Sequence, residues 1–462
     1  MRKIMTPYKI KVVEAIKWNT REEREKKIKE ADYCPGFLKA EDIPINFETD
    51  SGTSAMSQNQ WAGMMQGDES YFNAKNWFHL EKVAQEFTGY KYILPAHQGR
   101  AAENVVCFCL INKAGSIIPA NAHFGTTEAH ARLLGANPVN LYLKESLDTQ
   151  VKMDFKGNID LNKLEDLIKK KGAKNIPFLN MVLTNNFTAG QPVSMANLKA
   201  ASQIAHKHGI KVVIDSARVA ENAYFIKERE PSYKDKSIRE ICREIYTYAD
   251  VMHMSAKKGG LVNMGGLIAT NDADLYERMS ARLIMFDGYV TYGGLSGRDL
   301  EALAIGLDEG LEYEYLESRI GQVKYFGDLL REKGVPIYEP TGGHGVYVDA
   351  EKTYPHLPKE EFCAHALAIQ TYIESGVMGG ENPSSLGWSR TDPETGKLTP
   401  PPFELVRYAI PRRVYTDSQI EYAAEGIKAA MDLGKKVKGF KIKWVPKNEF
   451  LRIFQFRLER IK

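Results

Sequence analysis

Two adjacent lysines, Lys257 and Lys258, are the side chains of this 462-residue sequence best suited to covalent chemistry. They lie between a strand-like segment and a glycine-rich turn. Taken alone, the two lysines are equally well explained as solvated residues of a surface loop. Upstream, the apolar segment 211–214 predicts a buried strand that ends at Asp215, followed by Arg218. For Asp215 the alternative is a plain helix cap. A lysine amine and a carboxylate at a strand end are what a pyridoxal cofactor requires: a Schiff-base amine and an anion beside the pyridine nitrogen.

A phosphate-binding turn is indicated at Gln98-Gly99-Arg100, between a predicted strand and a predicted helix. Backbone N–H groups at a helix N-terminus favour a phosphate, although glycine is also common at such turns without a ligand. Ser255 and Lys257 could reach the same phosphate. Phe124 could stack on the cofactor ring, with a core phenylalanine as the alternative. The hydroxyl-rich segment 49–53 either offers donors to an anion or caps a helix.

Strand-like and helical segments alternate between about residues 57 and 310. This alternation predicts an α/β fold with a largely parallel sheet covered on both faces, and ligands in such sheets gather at the carboxyl ends of the strands. The helical periodicity of residues 297–333 predicts one long helix, straight or bent, that leads into a second, α+β domain. We therefore expect an N-terminal arm and part of the small domain at 1–56, a large cofactor-binding domain at 57–311 and a small C-terminal domain at 312–462.

The composition excludes several classes of protein. With 62 basic and 59 acidic residues, the net charge of +3 gives no reason to expect nucleic acid or an acidic membrane surface as a partner. The five cysteines are dispersed, which favours a reduced, cytoplasmic location over a disulfide framework or a zinc site. No run of about 18 apolar residues predicts a transmembrane helix, and no signal peptide is indicated at the amino terminus.

Eight motifs together resemble the tryptophanase and tyrosine phenol-lyase family, in family order and from about residue 8 to the end of the chain. They are Thr49-Asp50-Ser51-Gly52-Thr53, His97-Gln98-Gly99-Arg100, Gly190-Gln191-Pro192-Val193-Ser194, Asp215-Ser216-Ala217-Arg218, Glu221-Asn222-Ala223-Tyr224-Phe225-Ile226-Lys227, Met254-Ser255-Ala256-Lys257-Lys258, Tyr292-Gly293-Gly294-Leu295 and Ile410-Pro411-Arg412. The resemblance implies a fold-type I pyridoxal phosphate enzyme, with an aspartate aminotransferase-like large domain. It also implies a homotetramer of paired dimers with a potassium-type cation at the dimer contact.

The resemblance also implies a role for each site residue. Lys258 would form the Schiff base, Asp215 would face the pyridine nitrogen and Arg218 would neighbour the ring hydroxyl. The residues implied to hold the phosphate and stack on the ring are Gln98, Gly99, Arg100, Ser255, Lys257 and Phe124. The residues implied to hold the substrate carboxylate are Arg407 as a bidentate partner, assisted by Thr49, Ser51 and Asn186.

Tyr71, implied to arrive from the neighbouring subunit, would protonate the leaving ring at carbon after Lys258 has removed the α-proton. The products would be pyruvate, ammonia and the leaving group. Gly52, Asn263 and Glu69 resemble the cation ligands, the first two through their carbonyl oxygens.

The substrate is less clearly indicated, because three positions at which the family carries polar groups are Gly125, Met378 and Ile453 in this chain. Without those partners, discrimination by hydrogen bonding to a phenol or an indole would fall by roughly several kcal/mol. The residues of the motifs outside the pocket resemble the tryptophan branch of the family more closely, which favours tryptophan as the substrate. The alternatives are tyrosine, an S-substituted cysteine or, in another reaction class, a fold-type I aminotransferase.

Overall fold

A computed structural model describes residues 4–391 and 397–462, so the first three residues of the predicted N-terminal arm lie outside it. The strands are β1 (Ile45–Phe47), β2 (Tyr92–Ala96), β3 (Ile117–Ala120), β4 (Asn137–Asn140), β5 (Phe178–Val182), β6 (Lys211–Asp215), β7 (Val251–Ser255), β8 (Gly266–Thr270), β9 (Gly345–Asp349), β10 (Val377–Glu381), β11 (Arg390–Thr391), β12 (Leu398–Thr399), β13 (Leu405–Ala409), β14 (Phe440–Trp444) and β15 (Arg457–Arg460). The α-helices are α1 (Arg21–Glu30), α2 (Gln58–Met65), α3 (Lys75–Thr88), α4 (Gly99–Leu110), α5 (Gly125–Leu133), α6 (Leu161–Lys171), α7 (Met195–Lys207), α8 (Val219–Arg229), α9 (Ile238–Tyr246), α10 (Ala273–Phe286), α11 (Gly297–Glu309), α12 (Tyr313–Glu332), α13 (Ala350–Thr353), α14 (Cys363–Ser375), α15 (Ser385–Trp388) and α16 (Asp417–Asp432). None of the helices described is long and apolar enough to cross a membrane.

The central sheet has seven strands in the order β2-β8-β7-β6-β5-β3-β4. Only β8 runs antiparallel to its neighbours, which confirms the predicted, mostly parallel α/β sheet. All five residues of β5 and of β8 are buried, as expected where helices cover both faces of a sheet. The carboxyl ends of β2, β3, β5, β6 and β7 lie on one edge, and the predicted cofactor residues follow them directly.

A second, four-stranded sheet has the order β1-β10-β13-β9. β1 pairs in parallel with β10, whereas β13 runs antiparallel to both β10 and β9. Helices α12, α14 and α16 share a hydrophobic core with this sheet. The chain segment that precedes the central sheet therefore supplies β1, an edge strand of the second sheet. The domain boundaries themselves stay a prediction.

The long helix predicted over 297–333 is instead two helices, α11 and α12, separated at Gly310, Leu311 and Glu312. Near this break the chain comes very close to the lysine loop. A Cβ on Gly306 would overlap the carbonyl oxygen of Gly260, and a Cβ on Gly310 would overlap that of Gly259. These two small residues let the helix support the loop that carries Lys258.

Candidate active site

A cavity of about 790 Å³ opens where the carboxyl ends of the central strands face the second sheet. Thirteen predicted site residues line it: Thr49, Ser51, Gln98, Gly99, Arg100, Phe124, Gly125, Arg218, Ser255, Lys257, Lys258, Arg407 and Ile453. The part lined by Gln98, Gly99, Arg100, Arg218 and Lys258 is here called the cofactor end. The part lined by Gly125, Leu386, Trp388, Ile453, Phe454 and Phe456 is called the apolar end.

Lys258 follows β7 and is 7% exposed. Burial and the nearby charge of Arg218 lower the pKa of its ammonium group to about 8, despite opposing contributions from Asp50, Asp215 and Glu103. Its Nζ lies 5.7 Å from the centroid of the Phe124 ring. The neutral amine is therefore accessible near physiological pH, as a nucleophile and a proton acceptor require.

Asp215 ends β6 and belongs to a buried group with Glu103 and His253, whose ligand atoms all lie within 4.8 Å of one another. Burial and the adjacent charge of Asp215 raise the pKa of Glu103 to about 7. Burial lowers the pKa of His253. Glu103 also accepts a hydrogen bond from the Thr126 hydroxyl. Near neutral pH Glu103 is therefore partly protonated, which reduces repulsion beside Asp215. The sequence signal for Glu103 is a carboxyl beside the apolar residues Ala102, Val105 and Val106, four residues after Gly99.

The predicted phosphate site combines a helix N-terminus with basic side chains. Gln98 precedes the first turn of α4, and its Oε1 lies 3.5 Å from the Lys257 Nζ. Burial and the positive charge of Arg100 lower the pKa of Lys257. The unpaired amides of the first helical turn and the mutual repulsion of these cations both favour an anion, and the residues fit a phosphate ester.

Arg407, which the resemblance predicts to hold the substrate carboxylate, lies on β13 and lines the cavity. Its Nη1 donates to Asn186 Oδ1 at 3.2 Å and its Nη2 to the Glu48 carbonyl oxygen at 2.6 Å. Its Nε and the Asn186 Nδ2 are buried and have no protein partner among the described residues. Thr49 Oγ1 accepts from the Ser51 N–H at 3.1 Å. Buried donors without acceptors are costly, so this arrangement fits an incoming oxyanion.

A buried ionic network stands behind the cofactor end. Asp50 binds Arg218 in a bidentate pair at 2.7 and 2.9 Å and Arg412 at 3.0 Å, and Arg412 also binds Glu221. Burial alone would raise the pKa of Asp50, but the charges of Arg218 and Arg412 outweigh it and hold that pKa well below its ordinary value. The network joins the segment after β1, the loop after β6 and the loop after β13. In the sequence, Asp50 was part of the motif at 49–53, and no role was predicted for it.

The apolar end explains two of the three altered positions. A Cβ on Gly125 would lie 3.2 Å from Trp388 Cη2 and 3.8 Å from Ile453 Cδ1. The Trp388 ring therefore takes the space that a side chain at 125 would need. These three residues form one continuous wall.

Met378 requires a correction, because the sequence placed it in the substrate pocket. It is fully buried in the core of the second sheet and does not line the cavity. Later residues of the same chain segment, including Glu381 and Asn382, line it instead. Successive side chains of a strand point to opposite faces of the sheet. The residue type at one position therefore does not reveal which of its neighbours reaches the ligand.

Tyr71 does not line the cavity of its own chain. It is 63% exposed and packs edge-on against Phe72 and Tyr292, with ring centroids 4.6 and 5.5 Å apart. The hydrogen bond with Tyr292 raises the pKa of the Tyr71 phenol, which keeps it protonated.

The three predicted cation ligands do not converge within one chain. The Asn263 Nδ2 donates to the Gly52 carbonyl oxygen at 3.0 Å, so these two residues are neighbours. Glu69 instead accepts from the amide of Gly297 at 3.0 Å and pairs with Arg298 at the start of α11.

Comparisons with known proteins agree with this geometry. The family model described as "Beta-eliminating lyase" matches residues 46–426. A tyrosine phenol-lyase of Pasteurella multocida is 46% identical over 453 residues, covering 98% of each chain. A probable beta-eliminating lyase of Trichomonas vaginalis is 46% identical over 458 residues, again covering 98% of each chain.

Among solved structures, a serine palmitoyltransferase from Sphingomonas wittichii superposes with a TM-score of 0.59 at 14% identity. The match covers 85% of this chain and 88% of that chain. At this identity the likeness shows the fold alone, and it confirms the predicted fold-type I architecture.

Proposed function

Because the chain belongs to the beta-eliminating lyase family and is a pyridoxal phosphate-dependent lyase, we propose that it removes an aromatic group from the β-carbon of an amino acid. The products are pyruvate, ammonia and the free arene. One observation carries this proposal: a buried lysine of depressed pKa lies in the same cavity as an arginine with an unpaired donor. The first supplies the reactive amine and the second holds the substrate carboxylate.

The cofactor would be held by the residues already described. Lys258 would bind it covalently, Gln98, Gly99, Arg100, Ser255 and Lys257 would surround its phosphate, and Phe124 would lie against its ring. Asp215, supported by Glu103, would face the ring nitrogen, and Arg218 would neighbour the ring hydroxyl. When bound, pyridoxal phosphate acts as an electron sink that stabilises negative charge at the α-carbon of an amino acid.

The chain's own residues then move two protons. With its pKa near 8, the Lys258 amine accepts the α-proton after a substrate amine has displaced it. Tyr71 of a second copy, kept protonated by its raised pKa, delivers a proton to the ring carbon that leaves. Protonation at carbon converts a poor anionic leaving group into a neutral arene.

Tyrosine is the substrate that the relatives favour, because the Pasteurella enzyme carries the name tyrosine phenol-lyase at 46% identity. Tryptophan, which the motifs outside the pocket favour, stays the second candidate, since the wall of Gly125, Trp388 and Ile453 offers apolar contacts to an indole ring. An S-substituted cysteine is a third, because a thiolate leaves without Tyr71.

A homotetramer built from dimers would place Tyr71 at a partner's cavity. Large exposed apolar side chains in the chain segment that carries Tyr71 support a covered surface: Trp61, Met65, Phe72 and Phe78 are each more than half exposed. A potassium-type ion at the carbonyls of Gly52 and Asn263 would then take Glu69 from another copy. A cytoplasmic location fits the five cysteines, all free and buried.

The test is a substrate panel. Purified holoenzyme is incubated with tyrosine, tryptophan, S-methylcysteine and S-benzylcysteine, and pyruvate is measured. Phenol release with pyruvate would establish tyrosine, and indole release would establish tryptophan. Pyruvate from none of them would contradict the proposal. Tyr71→Phe should slow the aromatic substrates by about 10²-fold or more and leave the S-linked ones nearly unchanged.

A further inference from the structure

Glu381, at the end of β10, is a cavity-lining carboxyl that the steps above leave unused. Its side chain is 13% exposed, and its Oε1 contacts Nδ1 of His365, a fully buried residue of α14. The His365 ring packs edge-on against Phe456, which lines the apolar end, with ring centroids 5.2 Å apart. A buried acid and a buried base thus meet at the wall of the apolar end.

The hydrogen bonds of His365 determine where its protons lie. Its Nε2 is 2.9 Å from the carbonyl oxygen of Tyr33, which can only accept, so Nε2 carries a proton. The Nδ1 lone pair would then face a carboxylate oxygen unless a second proton lay between them. The contact therefore holds one proton, and the pair is neutral overall, as burial favours.

Both oxygens of Glu381 are held by the protein, since the Ser384 hydroxyl donates to Oε2 at 2.9 Å. Each carboxylate oxygen has a second lone pair, so acceptor capacity remains for a donor in the cavity. The next residue, Asn382, also lines the cavity, is 6% exposed, and its buried Oδ1 has no partner among the described residues. The Asn382 Oδ1 therefore lacks a donor, and beside it Glu381 keeps free lone pairs.

We propose that Glu381, positioned by His365 and Ser384 and assisted by Asn382, accepts a hydrogen bond from the leaving group. The preferred substrates then have an aromatic β-substituent that carries an O–H or N–H, and rings without that donor are rejected. The inference rests on the proposed function for its substrate class. It adds a recognition site to that function: Gly125 and Ile453 supply shape, and Glu381 supplies polarity.

The kinetic test compares tyrosine with 4-fluorophenylalanine, a similar-sized side chain without the O–H. The wild-type enzyme should prefer tyrosine by at least about 10²-fold in kcat/KM, because a buried acceptor without a donor is costly. In Glu381→Met the preference should fall below about 10-fold. His365→Gln should lower it partly, since the carboxyl loses its proton partner. His206→Gln is the matched control, because His206 pairs with Asp250 at 2.9 Å on the exposed surface.

A binding test separates this inference from the proposed function. Calorimetry on the holoenzyme should show phenol binding at least about 10-fold more tightly than fluorobenzene, with the difference lost in Glu381→Met. If no amino acid yields pyruvate, the proposed function fails, yet the phenol comparison still decides the inference. Equal affinities for the two arenes in the wild type would overturn it, as would an undiminished preference in Glu381→Met. If that variant does not fold, Asn382→Leu replaces it, because it removes the acceptor that has no protein partner, and an undiminished preference there would equally overturn the inference.

Discussion

The two ends of the cavity are built in different ways. At the cofactor end, Asp50, Arg218 and Lys258 are all less than 10% exposed. Arg218 and Lys258 follow strands of the central sheet, and Asp50 binds Arg218 from the segment after β1. At the apolar end, Leu386, Trp388 and Phe456 are equally buried, but Phe454 is 51% exposed and the wall comes from loops and short helices instead of strands. The cofactor end is preorganised by buried charges, which supports a fixed chemistry. The apolar end is a looser surface, where side chains can change without disturbing the strands.

The comparison is most strongly tested by Lys258→Ala. This change removes both the covalent attachment and the proton acceptor, so turnover should fall by at least about 10⁴-fold. Pyruvate formation measures turnover, and the visible spectrum of the purified protein measures attachment. Lys257→Ala is the matched control at the neighbouring position, and it should weaken cofactor affinity while leaving attachment intact. Wild-type turnover in Lys258→Ala would show that the cofactor end has been misassigned.

Asp50→Asn should have the largest effect on stability. The change keeps the shape but leaves Arg218 and Arg412 buried with less opposing charge, which costs about 3–5 kcal/mol. Denaturant unfolding gives the free energy. Asp32→Asn is the matched control, because Asp32 pairs with Lys443 and Arg457 near the surface and should cost less than about 1 kcal/mol. Equal losses in the two variants would contradict the picture of a rigid, charge-organised cofactor end.

The same contrast decides how much could be predicted from the sequence. Lys258, Asp215 and Gln98 sit beside strand ends with strong local patterns, and the structure brings Lys258 and Gln98 to one cavity with Asp215 directly behind it. The sequence predicted one helix where α11 and α12 lie, and the glycine loop that this region approaches is distant in the chain. Trp388 and Glu381 were missed for a similar reason: their partners, Gly125 and His365, are distant in sequence. The error at Met378 arose from side-chain alternation along β10.

Glu103→Gln tests the proton shared beside Asp215. Because the folded-state pKa of Glu103 is raised to about 7, its protonated form stabilises the fold most below the unfolded pKa of 4.5. That contribution is lost as pH rises from about 4.5 to about 7, and the loss amounts to about 3 kcal/mol. The variant should lack this slope. Chemical unfolding of the apoenzyme at several pH values measures the free energy of unfolding. Identical pH profiles in the two proteins would contradict the raised pKa of Glu103.

Gly125→Thr should have the smallest effect, and it probes the apolar end. The new side chain would press on Trp388, which a Cβ at 125 already approaches at 3.2 Å. Overpacking of this kind costs about 1–3 kcal/mol, and kcat/KM for the bulkier tryptophan should fall more than that for tyrosine. Trp388→Phe should relieve the contact, so the double variant should recover at least about 1 kcal/mol relative to the sum of the single changes. If the two losses simply add, Trp388 does not set the space at position 125, and the loop-built wall would have to be flexible enough to absorb a threonine.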